Sequence, residues 1–141
     1  MVDWEEQLVE AGCRLTTVRR AVIQVMATTT TPLSPHEVRR RGRLLLPALG
    51  LASVYRALDL LEELGFARRV HYEEGCHGYM PASPGHQHTI LCRACGQAAE
   101  FPGSEDLDGL VARVQRETGY RVEDHLLQLV GVCPECQEQR S

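Results

Sequence analysis

Two cysteine pairs constrain this chain of 141 residues more than any other feature. Cys92 and Cys95 form one CxxC unit, Cys133 and Cys136 form the other, and residues 96–132 lie between them. A CxxC turn directs two sulfurs at one ion, and structural Zn²⁺ takes four ligands in a tetrahedron. The spacing therefore predicts a closed structural zinc site, one Zn²⁺ per chain. The alternatives are a redox-active CxxC unit and buried cysteines that bind no metal.

The composition is typical of a folded protein, with 43% hydrophobic and 24% charged residues. Apolar runs such as Leu44–Leu46 are far shorter than the roughly 18 residues of a membrane helix, so we expect no membrane partner. The first residues are acidic and do not resemble a secretory leader. We therefore expect a cytoplasmic protein, in which thiols stay reduced.

Apolar periodicity predicts four helices followed by a two-stranded hairpin in the first half of the chain. The first covers the opening ten residues with Asp3 as N-cap, and the second follows Thr16 or Thr17. Ser34 and Glu37 form a capping box for the third, which should run to residue 46. The fourth covers residues 52–64, and the hairpin strands are residues 66–72 and 76–80. This order is that of a winged helix.

Two prolines and a glycine within residues 81–85 mark a break that neither a helix nor a central strand tolerates. We expect strands at 86–91 and 97–101, a helix at 104–118 capped by Ser104, and a strand at 120–132. The apolar face of that helix is Leu107, Leu110, Val111 and Val114. The predicted fold class is α+β: a winged helix in residues 1–82, then a small α+β domain with a zinc knuckle in residues 83–141.

Charge is divided unevenly along the chain. Residues 14–56 contain eight arginines and one acid, whereas residues 83–141 contain five arginines and nine acids. This asymmetry indicates a nucleic-acid surface on the first half only. Ser53, Tyr55 and Arg56 lie in the first part of the fourth helix, where Tyr and Arg side chains could contact bases or phosphates.

The histidines suggest further metal ligands. His86 and His88 are two residues apart, so they share one face of a strand. With His125 and Asp108 they would make a site of borderline hardness. His71 and His77 lie on opposite strands of the hairpin, beside Cys76, and are equally consistent with a metal site and with ordinary wing residues. Polar surface histidines are the alternative for each of these positions.

The motifs together resemble the ferric uptake regulator (Fur) family of metal-sensing bacterial repressors. They are Arg14-Leu15-Thr16 with Arg19, the run Leu51–Arg56, His86-Gln87-His88, and the two CxxC pairs. The resemblance implies a DNA-binding winged helix, a C-terminal dimerisation domain, and a homodimer that binds palindromic double-stranded operator DNA when metal is bound.

The resemblance also implies roles for individual positions. It assigns the four paired cysteines to structural zinc, and a second, regulatory metal to His86, His88, Asp108 and His125. It matches Arg14, Tyr55 and Arg56 to DNA-contacting positions, and Arg19 and Ser53 complete the predicted DNA-binding set.

The chain departs from the family at its hinge-region sensor. Where the family usually has a histidine and a carboxylate, this chain has Pro32 and Met80. Cys76 and His77, near the hinge, are the natural replacement ligands. The sensor site would be built from Cys76 with ligands from His71, His77, His86, His88 or Glu100. A thiolate ligand favours zinc, so the chain is most similar to a zinc uptake regulator; iron and manganese are the alternatives.

The sequence thus predicts a zinc-responsive repressor. Two other classes compete with it: a zinc-ribbon interaction module without a DNA role, and an enzyme such as a zinc hydrolase or dithiol oxidoreductase. The arginine asymmetry argues against the first. No nucleophile–base pair is evident and one metal uses both CxxC units, so we expect no enzymatic activity.

Overall fold

The computed structural model describes residues 4–72, 76–83, 86–103 and 107–139. The chain divides into two compact units, Met1–Ser83 and Pro84–Ser141, one residue after the expected boundary. The expected caps Asp3 and Ser104 lie outside the described residues. Within the described ranges, no helix is long and apolar enough to cross a membrane.

The first unit consists of four helices and a hairpin. They are α1 Trp4–Glu10, α2 Thr17–Thr28, α3 Pro35–Gly42, α4 Leu51–Glu63, β1 Ala67–His71 and β2 His77–Pro81. The two strands pair antiparallel, with Val70 opposite Gly78. A bridge between Leu33 and Tyr79 joins β2 to the segment before α3. This is the helix order and hairpin expected for a winged helix.

Local capping and a shared core explain why these helices form. The hydroxyl of Thr16 accepts a hydrogen bond from Arg19 N, and Ser34 and Glu37 form the predicted reciprocal capping box. The inner faces of the helices meet in one cluster of buried side chains. Its fully buried members include Leu8, Val22, Met26, Val38, Val54, Leu58 and Tyr79.

The third helix is shorter than predicted, because it ends at Gly42 and not at residue 46. The chain turns there so that Leu49, 1% exposed, can pack directly on Gly42. A Cβ at position 42 would lie only 2.5 Å from Cδ2 of Leu49. Leu44 is 87% exposed as a result, so this apolar run does not continue an amphipathic helix.

The second unit contains a three-stranded sheet and two helices. Its elements are β3 Gln87–Cys92, β4 Ala98–Pro102, α5 Asp108–Thr118, β5 Gln128–Gly131 and α6 Pro134–Gln139. β3 is central, antiparallel to β4 and parallel to β5, which places β5 at an edge of the described sheet. The mixed α+β fold class is as predicted.

The structure corrects one expectation for this unit and adds two features that the sequence did not predict. The strand predicted at 120–132 is only β5, because β3 pairs with residues 128–131 alone; Tyr120 and Leu126 before it are strongly exposed. The apolar face of α5 exists, but none of its residues is buried within this chain. The short helix α6, which begins directly after Cys133, was not anticipated from the sequence.

Candidate metal centres and a basic pocket

The four paired cysteines meet at one point in the second unit. Cys92 ends β3 and Cys95 lies in the turn that follows it, while Cys133 directly precedes α6 and Cys136 lies in its first turn. The ligand atoms of all four lie within 4.8 Å of one another. The two CxxC units converge because β3 and β5 are parallel neighbours. The carboxyl ends of both strands therefore lie at the same end of the sheet.

The backbone around these cysteines holds the sulfurs in place. Gly96 has a φ of 79°, in the left-handed region that favours glycine, and its N–H donates to the carbonyl of Cys92. Arg93 N donates to Gly131 O, which ties the first turn to β5. Cys133 N donates to the sulfur of Cys92 at 3.3 Å. This last contact links the two CxxC units directly.

The thiols of the cluster differ in acidity. Backbone hydrogen bonds, first from Cys133 and then from Cys95, lower the pKa of Cys92 to about 6. Hydrogen bonding to the thiol of Cys133, together with burial, raises the pKa of Cys136 to about 12. Near neutral pH, Cys92 is therefore mainly a thiolate, whereas Cys136 is a thiol that must lose its proton to bind a cation.

The spacing of the sulfurs fits a tetrahedral zinc ion. With Zn–S bonds of about 2.3 Å, two sulfurs of a tetrahedron lie about 3.8 Å apart. The sulfurs of Cys95 and Cys133 are 3.8 Å apart. Four cysteine sulfurs are also the ligand set of closed structural sites. When bound, zinc would cross-link the carboxyl ends of β3 and β5 and leave no coordination position for a substrate.

Three histidines form a second cluster in the same unit. The ligand nitrogens of His86, His88 and His125 lie within 4.8 Å of one another. The Nε2 atoms of His86 and His125 are 3.0 Å apart, and the ring of His88 is 4.8 Å from that of His86 and 5.1 Å from that of His125. Imidazole nitrogens at this spacing fit one divalent cation bound at about 2.0–2.1 Å from each.

Each imidazole reaches the cluster by a different route. His88 lies on β3 opposite Phe101, is 6% exposed, and packs its ring 5.6 Å from that of Phe101. His125 lies in residues 119–127, which form no regular element. Its backbone N–H donates to the Asp124 carboxylate. Gln115 on α5 anchors the same segment by accepting a hydrogen bond from Val122 N.

The remaining predicted ligands join neither cluster within the described residues. Asp108 is exposed at the start of α5, and Glu100 lies on β4 opposite Thr89. In the first unit, His71 and His77 face each other across the hairpin. The ring of His77 packs edge-on against that of Tyr79, 5.5 Å away.

Four of the five predicted DNA-binding residues lie around one basic pocket of about 310 Å³ in the first unit. Its lining residues are Arg14, Thr16, Val18, Arg19, Ser53, Arg56 and Ala57. The guanidinium of Arg19 donates to the Arg14 carbonyl at 2.6 Å, which fixes the segment before α2. Three guanidinium groups with two hydroxyls form a suitable environment for an anion such as a phosphate.

Tyr55 lies on α4 beside this pocket in sequence but does not line it, and its side chain is 38% exposed. The pocket residues that sequence reasoning did not single out as contacts are Thr16, Val18 and Ala57. Thr16 could have been found, since it is the N-cap of α2 and a helix N-terminus next to arginines is a common anion-binding arrangement. Val18 and Ala57 carry no polar signal and require the structure.

Comparisons with known proteins agree with this architecture. The ferric uptake regulation protein of Neisseria meningitidis is 33% identical over 135 residues, covering 93% of this chain and 91% of that protein. The Helicobacter pylori ferric uptake regulator, described with three functional metal-binding sites, superposes with a TM-score of 0.66 at 26% identity, over 96% of this chain and 90% of that one.

A zinc uptake regulator in complex with zinc and DNA superposes with a TM-score of 0.78 at 23% identity, over 96% of this chain and 91% of that one, which shows a shared fold. The sequence model described as the ferric uptake regulator family matches residues 10–130. This match covers the basic pocket, the three histidines and the first CxxC pair. The chain belongs to the ferric uptake regulator family.

Proposed function

We propose that this chain is a metal-dependent transcriptional repressor that binds operator DNA as a homodimer in the cytoplasm, and that zinc is the metal it senses. Members of its family are transcription regulators, not enzymes. The observation that carries the proposal is the combination in one chain of two metal-ligand clusters and a basic pocket lined by four of the five predicted DNA-binding residues.

The pocket supports DNA binding by the first unit. Arg14, Arg19 and Arg56 concentrate positive charge at the start of α2 and on α4. Arginine is suited to phosphate because its planar fork donates two parallel hydrogen bonds. Tyr55, exposed on α4, is available to contact a base. We assign the arginines to the DNA backbone and Tyr55 to sequence recognition.

The second unit supports homodimerisation. β5 lies at the edge of the described sheet, with Leu129 46% and Val130 50% exposed. None of the residues of α5 is buried, although its apolar residues share one face. An unpaired strand edge and an uncovered helix face are features that a second copy of the chain would bury.

The two clusters suggest a division of roles between metals. The four-cysteine cluster has no open position and suits structural zinc, whose binding contributes to folding. The three-histidine cluster draws on the sheet and on the irregular segment 119–127, so a cation there would tie that segment to the sheet. We assign the regulatory metal to His86, His88 and His125.

Zinc is the proposed regulatory metal because three imidazoles are a ligand set that zinc favours. The similarity to a zinc-bound, DNA-bound regulator is compatible with zinc, whereas the sequence relatives include ferric uptake regulation proteins. Iron and manganese are therefore the alternative metals, and the experiment must compare all three.

The test combines metal analysis with DNA titration. Purified protein should retain one zinc per chain through mild chelation, and a second equivalent should be removable. A DNA duplex selected by the protein from a random pool would then be titrated with Zn²⁺, Mn²⁺ and Fe²⁺. We expect zinc to raise DNA affinity at the lowest free concentration. Equal DNA affinity with the second site empty and with any of these metals added would contradict the proposal.

A further inference from the structure

We infer that Gly103 is a positioning residue for His86, because only a residue without a side chain leaves room for that imidazole in the three-histidine cluster. A Cβ built at position 103 would overlap Cδ2 of His86 and lie 2.8 Å from its Cγ and Nε2. The inference rests on the proposed role of this cluster in binding the regulatory metal.

The strand register explains why Gly103 and His86 meet. The ladder of β3 and β4 ends at the pair Gln87–Pro102. It continues one step further, because Gly103 N donates to His86 O at 2.6 Å. Residues directly opposite in an antiparallel pair project to the same face. The ring of His86 therefore leans across β4 into the space that a side chain at position 103 would occupy.

The position of its ring over Gly103 places His86 in the three-histidine cluster. Its Nε2 is 3.0 Å from that of His125, and its ring centre is 4.8 Å from each of the other two rings. Alanine at position 103 would force the imidazole to rotate away from this position. The side chain of His86 is exposed, so it can rotate into solvent without disturbing a core.

Alanine would also keep the backbone hydrogen bond to His86, because it retains the N–H group. The substitution Gly103→Ala therefore changes one thing, the space available to the ring. We expect the fold and the four-cysteine site to survive while the metal loses one of its three imidazole ligands. Changes in groups that orient metal ligands typically lower metal affinity about 10- to 100-fold.

The experiment measures Co²⁺ and Zn²⁺ affinity of the second site in full-length protein with the four-cysteine site loaded. Gly103→Ala should weaken binding about 10- to 100-fold, whereas Gly109→Ala, whose Cβ would meet nothing within 4 Å, should bind like the parent. In protein with the second site empty, NMR should show that the proximity of the His86 and His125 rings is lost in Gly103→Ala alone.

A double-mutant cycle tests whether Gly103 acts through His86. If it does, Gly103→Ala should cause no further loss of affinity in a His86→Ala background. Parent-like metal affinity in Gly103→Ala, or an additive loss in the double variant, would overturn the inference and leave the proposed function intact. A parent protein that binds no second metal would overturn both.

Discussion

The Nε2 atoms of His86 and His125 lie 3.0 Å apart, which joins the start of the central strand to the irregular segment before β5. At this distance one nitrogen donates and the other accepts, so one of the two rings must present a lone pair toward its partner. A divalent cation accepts lone pairs from both nitrogens at once and would replace that shared proton. A cation bound at the second site would therefore hold the segment that carries His125 against the start of β3.

We predict that His125→Ala abolishes high-affinity binding at the second site but leaves the structural zinc in place. The reason is that His125 is the ligand supplied by the irregular segment 119–127, so its loss removes the link between that segment and the sheet. Metal content before and after mild chelation measures the loss of the second metal and the retention of structural zinc. Titration of DNA in the presence of zinc measures the effect on DNA binding. We expect DNA binding that no longer responds to zinc.

Cys76→Ala is the matched variant for this prediction. Cys76 is exposed in the first unit and joins neither ligand cluster of the described residues, so its removal should leave the zinc response of DNA binding unchanged. If Cys76→Ala loses that response while His125→Ala keeps it, the sensing metal uses Cys76, and the assignment to the histidine cluster is wrong.

The variant Cys136→Ser should destabilise the second unit by removing one of four zinc ligands. Structural zinc contributes on the order of 10 kcal/mol of binding free energy in zinc-finger peptides, and that energy is available for folding. We expect loss of tightly held zinc and a lower melting temperature by circular dichroism, with Cys76→Ser, at an exposed cysteine outside the cluster, as control. A zinc-free variant that melts like the parent would refute a structural role for the metal.

Zinc binding to the four-cysteine site should release fewer than four protons at pH 8. The pKa of Cys92 is lowered to about 6, chiefly by the N–H of Cys133, so Cys92 is already a thiolate. The pKa of Cys136 is raised to about 12, so that thiol must lose its proton on binding. Zinc affinity therefore falls as pH falls, and more steeply below pH 6, where Cys92 also binds a proton.

Calorimetric titration of zinc in two buffers of different ionisation enthalpy gives the number of protons released. A release of four protons at pH 8 would mean that Cys92 is a thiol in the metal-free protein.

On the DNA side, Arg14→Ala should weaken binding to all sequences and reduce the salt slope by about one charge, since one phosphate contact contributes a slope of about 0.9. Tyr55→Ala should reduce discrimination between the selected duplex and random DNA while leaving the slope near that of the parent. Fluorescence anisotropy at several salt concentrations measures both. An unchanged slope for Arg14→Ala would remove this residue from the phosphate contacts.

Val130→Glu should disrupt the homodimer. Val130 is half exposed on the edge strand β5, so a charge there would be buried against the second copy without a partner. Sedimentation velocity should show a monomer that retains its structural zinc. Leu44→Glu, which changes an exposed leucine of the first unit, should remain dimeric. A dimeric Val130→Glu protein would place the interface elsewhere.

Some features of this chain could be predicted from the sequence because they depend on residues close together along it. The capping box of Ser34 and Glu37 closes within three residues, and each CxxC turn brings two sulfurs together within four. The predicted DNA-binding residues other than Tyr55 line one pocket because they belong to two helix starts whose apolar faces share a core.

Other features depended on tertiary packing. Sequence spacing alone could not show that α3 ends where Leu49 packs on Gly42, or that only residues 128–131 pair with β3. It favoured Asp108 as a ligand, but the structure groups the three histidines without it.

The sequence by itself determined the ligand types and the local turns, since these follow from covalent spacing and short-range hydrogen bonds. Only the tertiary structure decided which imidazoles meet, because strand register and ring packing join segments far apart in the chain. The same contacts place the His86 ring where a side chain at Gly103 would lie.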